Sequence, residues 1–174
     1  MSPRIFCLHL KKILVLATAV IMAIAAYLFL GPRFSFLVLE IPETGEIVWA
    51  APLSHDEHFQ LRYIHSVDLL PVYETYTGDN MQLVLVETRF RSWGAGLGYM
   101  NEGVLSGKNG WTVIKAMRRQ VGIIPLRIGT IAEHTLLYRG KEIRLRDYVP
   151  AQTLVHIRLR KIFPHTHLWR EEKT

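Results

Sequence analysis

Cysteine is nearly absent: 174 residues hold one, Cys7. It lies ahead of the part of the chain that reads as a folded domain. That domain can form no disulfide, so its hydrophobic core must carry the stability alone. Helical signals are missing beyond Phe34, where no stretch shows a helical apolar period or a capping box. Internal repeats, low-complexity tracts and a second domain boundary are missing too, which leaves one domain plus an appendage. Basic residues stand singly, without interleaved stacking aromatics, and this argues against nucleic acid as a partner.

What is present begins with an apolar run from Ile13 to Leu30, interrupted only by Thr18 and closed by Gly31-Pro32. A helix of that length, at about 1.5 Å per residue, spans roughly 27 Å, close to the hydrocarbon thickness of a bilayer. A cleaved signal peptide is the rival reading, with Ala23-Ile24-Ala25 as a small-x-small site. Cleavage there would leave Tyr27 to Leu30 as an apolar new terminus, so an uncleaved anchor is expected. Arg4, Lys11 and Lys12 precede the run; Arg33 and then Glu40, Glu43 and Glu46 follow it. The positive flank keeps the N-terminus inside. The expected division is a cytoplasmic flank (1–12), a single-pass membrane anchor (13–30), a β domain outside the cytoplasmic membrane (33–165) and a C-terminal tail (166–174).

Charge is split along the chain. Residues 1–107 carry 7 Lys/Arg and 10 Asp/Glu, whereas residues 108–174 carry 14 and 5. The basic second half suits an anionic surface or an acidic partner. Arg144, Arg146, Arg158 and Arg160 are the candidate basic surface.

From Phe34 the periodicity is that of strands. Phe34–Ile41 and Glu46–Ala51 flank the turn Pro42-Glu43-Thr44-Gly45, and His58–Ser66 alternates. Val72–Thr77 and Met81–Arg91 flank Gly78-Asp79-Asn80. Further strands are expected at Trp111–Met117, Gly122–Ile128, Ile131–Tyr138, Lys141–Leu145 and Thr153–Ile162. The fold class is all-β, a small antiparallel sandwich or barrel preceded by one transmembrane helix.

Chemistry-bearing residues gather between His65 and Gly98. His65 and Ser66 are neighbours on an expected strand and so point to opposite faces, which rules out a mutual dyad. A turn at Asp79-Asn80 would pair Gly78 with Met81 and place Glu74 across from Leu85. Glu87 would then be its diagonal neighbour on the same face. Two carboxylates near His65 suit a polar cluster, a ligand site or, less well, acid–base or metal chemistry. Gly94-Ala95-Gly96-Leu97-Gly98 lacks the dinucleotide spacing, and Gly103–Asn109 falls one residue short of a phosphate-binding loop, with Asn where Ser/Thr must hold magnesium. Trp93, Gly94 and Gly96 could still belong to a ligand-contacting loop. The pairs His55/His58 and His165/His167 each lack a third ligand, so no metal and no cofactor are expected.

His65-Ser66-Val67, Pro71-Val72-Tyr73-Glu74 and Ser92-Trp93-Gly94-Ala95-Gly96-Leu97 together resemble a bacterial domain-of-unknown-function family. Its members are often encoded beside TAXI-type TRAP transporters, which are tripartite, ATP-independent and use a periplasmic binding protein. The likeness covers roughly residues 34–130. Asp68-Leu69-Leu70 replaces a usually more polar link, and Gly98 stands where a proline is common. The resemblance implies a small, β-rich, exported or anchored protein that contacts a TRAP transporter's membrane subunit or its solute-binding protein. It supplies no catalytic residues. The function expected is therefore a non-enzymatic accessory or regulatory subunit of such a transporter. The alternatives are an extracytoplasmic module binding a small ligand at His65, Ser66, Glu74 and the glycine loop, and a hydrolytic or metal-dependent enzyme using His65, Glu74 and Glu87.

Overall fold

Alternation of apolar and polar residues organises the chain from Ser35 onward, and strands follow wherever it persists. The computed structural model describes residues 12–22, 35–91 and 103–161. The chain divides into two compact units, Met1–Arg33 and Phe34–Thr174. In the first, residues 12–22 form a helix, α1. No helix among the described residues is long and apolar enough to cross a membrane. Residues 23–30 of the expected anchor lie outside them.

The second unit is a curled, wholly antiparallel sheet. Its first strands are β1 (Ser35–Ile41), β2 (Glu46–Pro52), β3 (His58–Ile64), β4 (Pro71–Asp79) and β5 (Gln82–Phe90). The hairpin β6 (Val104–Lys108) and β7 (Trp111–Lys115) follows, then β8 (Arg119–Arg127), β9 (Thr135–Tyr138), β10 (Lys141–Arg144) and β11 (Leu154–Lys161). A short 3-10 turn at Leu145–Asp147 follows β10. Neighbours run β10-β9-β3-β4-β5-β8-β11-β1-β2. The expected strands are all present with shifted ends, and β6 is an addition hidden in the glycine-rich stretch.

The sheet forks at β5. Its first half pairs with β8 (Leu83 to Leu85) and its second with β7 (Thr88 to Phe90). Register shifts at Leu39/Glu40, Thr75/Tyr76 and Leu83/Val84 bend it further, as bulges do by adding twist. Curling brings the far strands together: Trp49 of β2 meets Tyr138 of β9 edge-on, at 6.4 Å between ring centroids. The Tyr138 hydroxyl donates to the Pro52 carbonyl. The result is a half-barrel whose concave face buries Leu37, Leu61, Leu83, Leu85, Leu136 and Ile157. Burying each such side chain contributes about 1.5–3 kcal/mol.

Three hairpins close with two-residue turns in which both residues have positive φ: Asn80-Met81, Asn109-Gly110 and Arg139-Gly140. That geometry matches the right-handed twist of paired strands. Only Asn109-Gly110 has the residues the turn prefers.

Candidate functional site

Strand β4 projects Val72, Glu74 and Tyr76 inward and Tyr73, Thr75 and Thr77 outward. The register of β4 with β5 differs from the sequence expectation in two ways. The turn is Asn80-Met81, pairing Asp79 with Gln82. That shift alone would set Glu74 directly opposite Glu87. An extra residue, Val86, then intervenes, because Tyr76 pairs with Leu85 while Thr75 pairs with Glu87. Glu74 therefore faces Thr88, and the two carboxylates lie on opposite faces of the sheet. The bulge thus removes a like-charge pair that directly opposed strands would disfavour.

Glu74 is 7% exposed, in an inward row formed by Leu136, Leu61, Glu74, Thr88 and Ile114 of five adjacent strands. Tyr76 donates its hydroxyl to one carboxylate oxygen at 2.7 Å, and the Tyr63 hydroxyl lies 3.5 Å from the other. Glu87 faces outward, 3.8 Å from the Lys115 ammonium.

His134 completes the inward cluster, although the sequence reading passed over it. It is buried, and its ring centroid lies 6.0 Å from that of Tyr63. Burial holds its pKa below the usual imidazole value. Alternation was the available signal, since Leu136 and Tyr138 point inward and His134 continues their phase. Its Nδ1 and the Thr88 hydroxyl are buried with no hydrogen-bond partner among the described residues. A carboxylate, two phenols, a hydroxyl and an imidazole thus meet in an otherwise apolar interior. They can satisfy one another, or hold a small hydrogen-bonding molecule.

His65 is not on a strand. Strand β3 ends at Ile64, and His65 opens a tied turn: its N–H donates to the Leu70 carbonyl at 2.9 Å, and the Leu69 N–H to the His65 carbonyl at 2.9 Å. Its Nδ1 sits 3.4 Å from the Asp68 backbone N–H and 3.3 Å from the Asp68 carboxylate. Ser66 is exposed in the same turn. Val67 and Leu69 project into solvent, 71% and 61% exposed. Leu69 does so with φ at 53°, a conformation costly for a non-glycine residue.

Trp93, Gly94 and Gly96 lie outside the described residues. The four arginines expected to form one basic surface are divided. Arg158 and Arg160 lie on β11 and approach Glu40 of β1 at 3.9 and 3.5 Å. Arg144 is on β10, with five strands between it and β11 in the sheet order, and Arg146 follows in the 3-10 turn. Among the described residues no three His, Cys, Asp or Glu gather as a metal ion would require. A cleft of about 540 Å³ opens at the fork of β5, lined by Thr77, Gly78, Val84, Val86, Met117 and Arg118 among others.

The chain fits the family described as "Domain of unknown function (DUF1850)" over residues 59–145, and it belongs to that family. No curated protein and no solved structure matches it significantly.

Proposed function

We propose, starting from that membership, that the protein is a non-enzymatic, membrane-anchored accessory or regulatory subunit of a TRAP-type (TAXI) solute transporter. Its anchor would be Ile13 to Leu30, in a bacterial inner membrane with the N-terminus inside. Its β domain would lie in the periplasm, against the transporter's membrane subunit or its solute-binding protein. The apolar run, its basic flank and the motif resemblance support this reading. One structural observation carries it: two large apolar side chains, Val67 and Leu69, are displayed on a turn tied at both ends by hydrogen bonds. Held out of the core, Leu69 at a conformational cost, such residues suit a partner's surface better than water.

Pull-down from detergent-solubilised membranes tests the proposal. The wild-type chain should bring down transporter subunits, and Val67→Asp with Leu69→Asp should lose them at unchanged expression and melting temperature. Wild-type protein arriving without any transporter subunit would end the reading. A reporter active only outside the cytoplasm, fused after Thr174, should be active.

A second reading is favoured by two buried groups unpartnered among the described residues, the Thr88 hydroxyl across from Glu74 and the His134 Nδ1 beside Tyr63: a small hydrogen-bonding ligand held inside the half-barrel. Thr88→Val and His134→Phe would then abolish binding while leaving the fold intact.

A further inference from the structure

The convex face of β4, β5 and β7 carries a feature that the interior cluster and the turn do not explain. Tyr73, Arg89 and Val113 are cross-strand neighbours there. The Arg89 guanidinium lies 4.5 Å from the Tyr73 ring centroid and 5.1 Å from that of Trp111. On the same indole, the Arg91 guanidinium lies at 4.7 Å. Tyr73 and Trp111 also meet edge-on, with centroids 5.8 Å apart. Two aromatic rings and two guanidinium groups therefore cluster on one face of the sheet: Tyr73, Trp111, Arg89 and Arg91.

Among the described residues neither arginine has a counter-charge: no carboxylate forms an ion pair with Arg89 or Arg91. The nearby acids are committed: Glu87 faces Lys115 at 3.8 Å, and Glu142 takes Arg62 through two hydrogen bonds of 3.1 and 3.0 Å. The Arg89 Nε is moreover closed off from solvent with no hydrogen-bond acceptor among the described residues. Two guanidinium groups packed on one indole repel each other, and the inner one has lost part of its hydration. Ring faces offset some of that cost. A bound anion would offset it far better, and the two rings already hold both guanidinium groups in place.

We infer that Arg89 and Arg91, positioned by Tyr73 and Trp111, form a binding site for a compact carboxylate supplied by a small organic acid. The planar fork of a guanidinium matches a carboxylate through two parallel hydrogen bonds, and a second cation nearby suits a second carboxyl group. The site is on the face opposite Glu74 and does not rest on the transporter reading.

Succinate is the probe, titrated calorimetrically into the detergent-solubilised full chain, with sodium sulfate as the tetrahedral competitor. Saturable binding is expected, weakened about tenfold or more by Arg89→Lys, which keeps the charge and loses the fork. Arg91→Gln, on an exposed side chain that folding does not need, should weaken it several-fold. Trp111 should report the event as a change in indole fluorescence that Trp111→Phe removes. Wild-type protein that fails to bind succinate, or an Arg91→Gln variant with unchanged affinity, overturns the site. Sulfate displacing succinate at equal concentration overturns its assignment to carboxylates.

Discussion

Replacing Glu74 separates a structural role from a recognition role, and the geometry sets the scale. Tyr76 is buried and donates to the Glu74 carboxylate at 2.7 Å. A hydrogen bond to such a group contributes about 1.5–3 kcal/mol. Tyr76→Phe removes the donor while keeping the ring, which stacks on Phe59 at 5.5 Å and 18°. Its cost should therefore be that of the hydrogen bond, about 1.5–3 kcal/mol, with little cavity contribution. Glu74→Gln keeps an acceptor of the same size and should cost less, about 1–2 kcal/mol. The double variant should lose about 1 kcal/mol less than the sum of the singles, because the second change removes a partner already missing. Urea unfolding followed by tryptophan fluorescence reads this as a lower midpoint at constant slope. Strict additivity, or single costs below about 0.5 kcal/mol, would show that the contact does not stabilise the fold. Two stable variants with failed transporter association or ligand binding would move the cluster from core to site.

Gly78→Ala should cost about 1–2 kcal/mol by overpacking, since its Cβ would stand 2.9 Å from Leu159 Cδ1 and 3.4 Å from Leu53 Cδ2; thermal unfolding measures it. The Arg139 guanidinium, donating to Glu57 at 2.6 and 2.9 Å, holds that carboxyl down at about 2. The folded-state value lies below the ordinary 4.5, so this contribution is present above about pH 4.5 and is lost as pH falls towards 2. Arg139→Gln should flatten the acid limb of a stability-against-pH curve in that window, and an unchanged limb would contradict the pairing. Leu69→Asn, at φ 53°, should leave stability unchanged or raise it by up to about 1 kcal/mol, because Asn tolerates the left-handed region better. The same variant should weaken capture of transporter subunits, and equal capture would remove Leu69 from the docking surface.

Strand positions were legible because alternation is a local property. β1, β2, β3, β4, β5 and β11 sit within a few residues of where the polar and apolar steps put them. β6 was not legible, since Val104 and Leu105 are both exposed on a strand that, among the described residues, pairs only with β7, and such a strand shows no alternating burial. The ends were also elusive: His65 continues the β3 pattern by residue type, yet its N–H closes a turn with Leu70. Nothing in the residues from His58 to Ser66 announces that exit.

The pairing of Glu74 with Glu87 shows where reading from sequence gives out physically. Side-chain facing depends on the parity of the register, so a displacement by two residues changes neighbours but not faces. Moving the turn from Asp79-Asn80 to Asn80-Met81 is such a displacement, and it would have left the two acids on one face, directly opposed. A single extra residue at Val86 reverses the parity for the rest of β5. No short-range signal marks Val86: it is one more apolar residue in a run of four. Its position follows instead from what each parity would bury. With the bulge, Thr88 and Phe90 turn inward and are buried, while Glu87, Arg89 and Arg91 turn outward. Without it, Glu87, Arg89 and Arg91 would enter the core, at a cost of several kcal/mol for each unpaired charge. The bulge therefore separates the functional candidates onto two faces. It leaves one carboxylate among phenols and an imidazole inside, and aligns two arginines on Trp111 outside, where an anion can reach them.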